Sequence, residues 1–389
     1  MRHNWISHTL QLILVILLLT GCTTGAPLAP TAQPGTPSSP PVVIPPTATA
    51  TVLPPTVPLT VTSTQFPTVP LTATPAPPPG SIEFKNPKNY RVEYIATVRN
   101  KSFAINKLLV YQPRPLEWDG QKNVKVEEVS PSPDKSGQDL DFGNGIYYWQ
   151  ILSSGPKPGE SMQFKIQFTF TAYETSTTVD PDKIQPYNQD NPLYKLYTRP
   201  ERFIESTDPQ IAALADQVAG SETNPYRLAR KFYDYVIANA HYRLLGKGLL
   251  GAKALLTSGV GECGDYSSLF IALARAKGIP ARPVVGYWAI SGIDQTHVWA
   301  EFYIENLGWI PVDPTFGQSQ PAKKDYYFGN MVNQRVILNK GFNIQLDPAG
   351  PDNFSAPFLQ VPLWWFWGSS GDASTVSLER TSWKVTPIP

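Results

Sequence analysis

Between residues 23 and 80 the chain has no Asp, Glu, Lys or Arg, and 17 of those residues are proline. Proline removes a backbone donor and fixes φ, so a stretch this rich in it sustains neither a helix nor a central strand. Thr, Ala and Val fill the gaps, and Val57-Pro58-Leu59-Thr60 recurs as Val69-Pro70-Leu71-Thr72. Such a composition lacks the apolar mass for a core and favours extended polyproline II. At about 3.1 Å per residue it reaches up to roughly 180 Å, which suits a spacer. The fold is therefore built from the residues after 80.

Ahead of the spacer, Arg2 precedes an apolar run at residues 10–19, and the run ends in Leu19-Thr20-Gly21-Cys22. It is short for a bilayer span, so residues 1–22 read as an export signal. Leu-Thr-Gly-Cys resembles the lipobox of bacterial lipoproteins, which implies that Cys22 becomes a lipidated N-terminus after cleavage. An ordinary signal peptide with an incidental cysteine, or a short uncut anchor, is the alternative. The expected location is the cell surface, lipid-anchored to the outer face of the cytoplasmic membrane or the cell envelope. The balance of 32 basic and 31 acidic residues gives no charge argument for nucleic acid.

The chain has two cysteines. With Cys22 lipidated, no disulfide can form, and Cys263 is left as a free thiol in an exported protein. Such a thiol risks oxidation, so it more reasonably has chemical work.

From residue 85 to 172 the apolar pattern has period two. Val92, Tyr94, Ala96 and Val98 alternate with polar partners, as do Met162, Phe164, Ile166, Phe168 and Phe170. That alternation marks half-buried antiparallel strands. Residues 108–111, 124–129 and 146–151 are further candidates, separated by Pro, Gly, Asn and Asp turns. The expectation for 81–200 is an all-β, immunoglobulin-like sandwich. It contains neither cysteine nor histidine and offers no chemistry of its own.

Helical spacing begins at Asp208-Pro209, a capping residue followed by proline in the first turn. A second helix opens at Asn224-Pro225 and is expected to end near His241. A third starts at or just before Cys263 and stops at Gly278, with Pro280 beyond. Strands are expected at 283–288, 296–305 and 309–313, so residues 201–345 form an α+β domain.

The chemistry gathers there. A thiol at a helix N-terminus faces unpaired amides and the positive end of the helix dipole, which favour the thiolate. Gly261 and Gly264 flank Cys263, and its own amide is a candidate oxyanion donor. On the strand at 296–305, His297, Trp299, Glu301 and Tyr303 share one face, and Asp313 ends the next strand. Cys263, His297 and Asp313 thus supply a nucleophile, a base and an orienting carboxylate. Of four histidines, His3 and His8 lie in the leader, and His241 reads as a surface or cap residue. One thiol and two histidines without ligand spacing do not make a zinc site, so neither metal nor cofactor is expected.

Four ordered motifs carry a family resemblance. They are Gly259-Val260-Gly261-Glu262-Cys263-Gly264-Asp265-Tyr266, then Arg275-Ala276-Lys277-Gly278-Ile279-Pro280-Ala281-Arg282. His297-Val298-Trp299-Ala300-Glu301 and Gly308-Trp309-Ile310-Pro311-Val312-Asp313-Pro314-Thr315 follow. Over roughly 205–345 the chain resembles the transglutaminase-like superfamily. The resemblance implies a papain-like core with Cys263 as nucleophile, His297 as base and Asp313 as orienter. It also places Tyr242 where the family often has a tyrosine beside the oxyanion site, although a packing role is equally open. Trp299 and Asp265 match as structural supports. The upstream sandwich, with Gln121 and Gly143-Asn144, resembles the β domain that precedes this core in bacterial relatives.

The expected activity is that of a thiol enzyme on a protein or peptide amide through an acyl-thioester. Water as second acceptor makes it a peptidase or amidase, and an amine makes it a crosslinking acyltransferase. A non-catalytic binding module is the alternative of another class. Residues 335–346 look like a closing hairpin around Asn339-Lys340-Gly341. Residues 346–389 are expected to be a C-terminal strand and tail, with the aromatic run Leu363-Trp364-Trp365-Phe366-Trp367 packed over the core.

Overall fold

Phe164, Ile166, Phe168 and Phe170 all point inward with almost no exposure, as do Tyr90, Val92, Tyr94, Ala96 and Val98. Each of the larger apolar side chains contributes about 1.5–3 kcal/mol on burial, and together they define the first sheet. The computed structural model describes residues 77–389. The expected leader 1–22, Cys22 and nearly all of the 23–80 spacer lie outside the described residues.

The chain opens with β1 (Gly80–Asn100), β2 (Ile105–Arg114), β3 (Gln121–Ser130), β4 (Lys135–Gln138), β5 (Gly145–Leu152) and β6 (Ser161–Val179). Then come α1 (Pro192–Thr198), α2 (Pro209–Ala219), α3 (Pro225–Asn239), β7 (His241–Tyr242), α4 (Ala252–Ser258), β8 (Val260–Gly261) and α5 (Cys263–Ala276). The strands β9 (Ala281–Trp288), β10 (Thr296–Ile304) and β11 (Gly308–Val312) lead to α6 (Pro314–Ser319). The remaining elements are β12 (Asn330–Met331), β13 (Arg335–Lys340), β14 (Ile344–Gln345), β15 (Ser355–Ala356), β16 (Leu363–Gly368) and β17 (Val376–Ile388).

One sheet of the sandwich has the order β12-β6-β1-β17, with β3 also paired to β6, and the other runs β16-β2-β5-β4. Every pairing in them is antiparallel. The C-terminal stretch is thus not a strand and tail beyond the second domain. It supplies one strand to each sheet: β17 pairs with β1 from Asn89↔Ile388 to Asn100↔Val376, and β16 pairs with β2. The aromatic run does form a strand. Its alternation explains the placement, because Trp364 and Phe366 pack into the sandwich core while Trp365 and Trp367 face a second cluster.

The α+β part is a sheet of order β11-β10-β9-β13 with α5 laid across it. Caps fix the helices as the sequence suggests. Asp208 accepts from the Gln210 amide, and Asn224 accepts from Tyr226 and Arg227. The helix after Asn224 ends at Asn239, so His241 and Tyr242 form instead a short parallel pairing with Val260 and Gly261. The hairpin expected at 335–346 is absent. β13 continues through Asn339 and Lys340 along β9, with a register shift between Ile337 and Asn339, and the Gly341 amide donates to the Pro283 carbonyl. Asn339 spends its side chain on the Gly341 carbonyl and the Leu359 amide rather than on a turn.

Sandwich and α+β sheet share a core. Tyr287 and Ala289 at the end of β9, with Val336 and Leu338 of β13, belong to the same apolar cluster as Phe164, Phe168 and Trp149. The Tyr287 ring stacks on Trp383 of β17 at 3.9 Å.

Candidate active site

Cys263 is the first residue of α5 and is buried, with 2% exposure. The helix entry is held by two carboxylates. Asp265 accepts from the Glu262 amide at 3.0 Å and from the Leu250 and Gly251 amides at 2.9 Å each. Glu262 accepts from the Leu245 and Gly246 amides. The loop 243–251 is therefore tied down over the cysteine by four of its own N–H groups. The glycines of the motif make room for this arrangement. A side chain at Gly264 would meet Leu249 at 2.8 Å, and one at Gly261 would meet Asp265 at 2.9 Å. Burial pushes the Asp265 carboxyl up, against the pull of these amides.

His297 lies on β10 opposite Gly286 of β9. Its Nε2 is 2.8 Å from Asp313 Oδ2. A carboxylate on Nε2 keeps the neutral proton there and leaves Nδ1 as the basic nitrogen. Asp313 is fully buried and caps α6, its Oδ1 accepting from the Phe316 amide at 3.0 Å. Helix and histidine strand meet beside the cysteine: Ser267 Oγ lies 2.9 Å from the Cys263 carbonyl and 3.4 Å from that of Val298. Cys263, Val298, Trp288 and Phe316 belong to one apolar cluster.

The electrostatics follow from burial. Removal from water works against the Asp313 charge, but His297 and Arg335 outweigh it and hold the carboxyl down at about 2. Burial lowers the His297 pKa, Asp313 opposes, and Arg335 adds to the lowering. The resting imidazole is accordingly neutral near pH 7, the form that accepts a proton.

Tyr242 pairs across to Gly261, two residues before Cys263, and its half-buried ring lies 6.2 Å from that of Tyr266. Tyr266 in turn donates to Gln318 of α6 at 2.7 Å. His241 is exposed and pairs with Val260. Arg335 carried no sequence signal. Its Nη2 donates to Asp313 Oδ2 at 2.7 Å, from a segment whose pattern suggested a hairpin.

A family model described as the transglutaminase-like superfamily matches residues 212–314, which hold Cys263, His297 and Asp313. The similarity to the transglutaminase-like superfamily is thus carried by the part of the chain that holds the candidate site. An uncharacterised protein of Haemophilus influenzae is 30% identical over 198 residues, covering 40% of this chain and 54% of that one. A protein-glutamine gamma-glutamyltransferase of Pseudomonas aeruginosa is 27% identical over 123 residues, 28% of this chain and 18% of that protein. The chain thus spans about half the length of the first relative and less than a fifth of the second. The solved structure of a candidate cysteine protease from Cytophaga hutchinsonii shares the fold. It aligns with a TM-score of 0.54 at 17% identity, over 79% of this chain and 93% of that one. The overall fold therefore occurs elsewhere.

Proposed function

We propose that this chain is an extracytoplasmic thiol enzyme that cleaves amide bonds through an acyl-thioester. The observation that carries the proposal is the buried His297–Asp313 pair, whose histidine stands on the strand against which the Cys263 helix packs. In this reading His297 Nδ1 takes the thiol proton and Cys263 Sγ attacks the carbonyl carbon. The oxyanion is met by the Cys263 amide and, on our assignment, by the Tyr242 hydroxyl. The imidazolium then returns its proton to the departing amine as the C–N bond breaks. Water, deprotonated by the same imidazole, attacks the thioester and restores the thiol.

An amine in place of water would give acyl transfer, and the similarity to a protein-glutamine gamma-glutamyltransferase supports that second reading. The two part on one experiment. Residues 78–389 are offered glutamine-containing peptides with and without a primary amine, and products are read by mass spectrometry. Cleaved or deamidated peptides lost in Cys263→Ala establish the hydrolase, and mass gains equal to the amine establish the transferase. If Cys263 alkylates no faster with iodoacetamide than an ordinary thiol, the chain is a binding module instead.

We further propose that Cys22 bears the lipid that holds the protein at the membrane, with residues 23–80 as the tether. Among the described residues no helix is long and apolar enough to cross a bilayer. Cys22→Ser in the whole chain should move the protein out of the membrane fraction, and unchanged fractionation would remove the proposal.

A further inference from the structure

We infer that Arg335 is a positioning residue for the His297–Asp313 pair: it binds the same carboxylate oxygen as the imidazole and thereby sets how readily His297 holds a proton. The inference rests on the thiol-enzyme reading and deepens it. Arg335 stands at the start of β13, opposite Trp288 of β9. Its Nη2 is 2.7 Å from Asp313 Oδ2, and His297 Nε2 is 2.8 Å from that same atom.

The surroundings argue that charge is the point of an arginine here. The side chain is buried, and its guanidinium lies 4.7 Å from the ring centres of both Trp288 and Trp299 and 5.6 Å from Phe316. The same three rings flank His297. Nε and Nη1 are buried without a hydrogen-bond partner among the described residues. Leaving donors unpaired in an apolar cage is costly, and a methionine would fill that cage without the cost. What arginine adds is a positive charge and one bond to Asp313.

A cation on Oδ2 divides the field of the carboxylate. Asp313 stays ionised and oriented, yet its hold on an imidazolium is weakened, so His297 releases its proton more easily. Burial of His297 acts in the same direction. Of the other groups nearby, Lys340 has its amine lowered to about 8 and is bound to Glu301 rather than to Asp313. Tyr326 and Tyr327 before β12, and Tyr233 of α3, are all pushed up by burial. Asp119 and Glu301 line the crevice beside Arg335, and Glu301 is engaged by Lys340 and Arg282. Besides Lys340, Cys263 on α5 and His297 itself remain.

The test is the pH dependence of Cys263 alkylation by iodoacetamide in the full chain, quantified on the Cys263 peptide. Without the Arg335 charge, Asp313 favours the imidazolium and hence the thiolate beside it. Arg335→Met should move the midpoint to lower pH by about one unit, so that alkylation below the wild-type midpoint is about tenfold faster. Arg335→Lys keeps the charge and should keep the wild-type midpoint. If the methionine variant does not melt cooperatively, Arg335→Gln carries the same expectation. A uniform change of rate at every pH with an unmoved midpoint would make Arg335 purely structural. A lysine variant that shifts as far as methionine would equally overturn the inference. A wild-type midpoint near the ordinary thiol value of about 8.5, insensitive to His297→Ala, would instead sink the thiol-enzyme reading and this inference with it.

Discussion

Glu301 stands four residues beyond His297 on the same face of β10, between two cations. Arg282 Nε is 2.8 Å from its Oε2, and Lys340 Nζ is 3.0 Å from each carboxylate oxygen. Arg282 also lies over the Trp309 ring at 3.7 Å. Burial works against the Glu301 charge, but Lys340 and Arg282 prevail and hold it below the usual carboxylate range. For Lys340 burial and the repulsion of Arg282 win over Glu301, and its amine falls to about 8. Removing the one anion leaves two buried cations uncompensated, so Glu301→Gln should cost about 3–5 kcal/mol, read from urea unfolding. The pH dependence has a definite sign. Between about 8 and 10.5 the unfolded chain holds a lysine proton that the folded chain has released, so this site adds stability as pH rises through that window. It is lost again as pH falls through 8. The stability difference between the wild type and Lys340→Met should therefore shift in favour of the wild type from pH 7.5 to pH 10. A constant difference would mean that folding does not lower the proton affinity of Lys340.

The strand that carries both Arg335 and Lys340 has an open edge, because β9 occupies only one side of it. Two side-chain amides close that edge. Gln121 accepts from the Ile337 amide at 2.8 Å and donates to its carbonyl at 3.0 Å. Asn144 does the same at Lys340, at 2.7 Å each way. Each amide reproduces what a neighbouring strand would offer, which also blocks edge-to-edge pairing with another chain. Gln121→Ala would orphan two buried backbone groups and should destabilise the protein by about 2 kcal/mol or more. Hydrogen exchange at the Ile337 amide is the direct readout, and unaltered protection there would refute the edge-capping role. Such contacts were only half legible. Gln121 and Asn144 stand out by resemblance, but no pattern says that they reach across to β13. The alternation of β1 and β6 and the caps at Asp208 and Asn224 were readable because each rests on near neighbours in sequence. Asn339-Lys340-Gly341 misled for the opposite reason: its turn chemistry is local, while the demands of Glu301 on Lys340 and of Leu359 on Asn339 come from far along the chain.

At the scale of the molecule, β9 and β13 serve two cores at once. Ala281, Val285 and Trp288 of β9 share a cluster with α5 and the cysteine, while Tyr287, Ala289 and, from β13, Val336 and Leu338 belong to the sandwich core. The C-terminal strands finish that sandwich, so the last residues of the chain stabilise a site some hundred residues earlier. The pattern of residues 201–345 nevertheless reads as a self-sufficient domain, because a strand apolar on both faces looks the same whether its second cover is a helix or another domain. Residues 201–345 alone lose the cover over Tyr287, Val336 and Leu338, the amide caps on β13 and the stacking of Trp383. They should fail to give a cooperative thermal transition or a near-ultraviolet circular dichroism signal. Residues 78–361, which keep the amide caps but lack β16 and β17, should fail as well, while 78–389 folds. Were 201–345 to melt cooperatively with the wild-type pH dependence of Cys263 alkylation, the shared core would be dispensable, and Asp313 and Arg335 would be held by the α+β sheet alone. The failure of both fragments would instead make the sandwich part of the machinery that keeps β13 and Arg335 in register with the histidine.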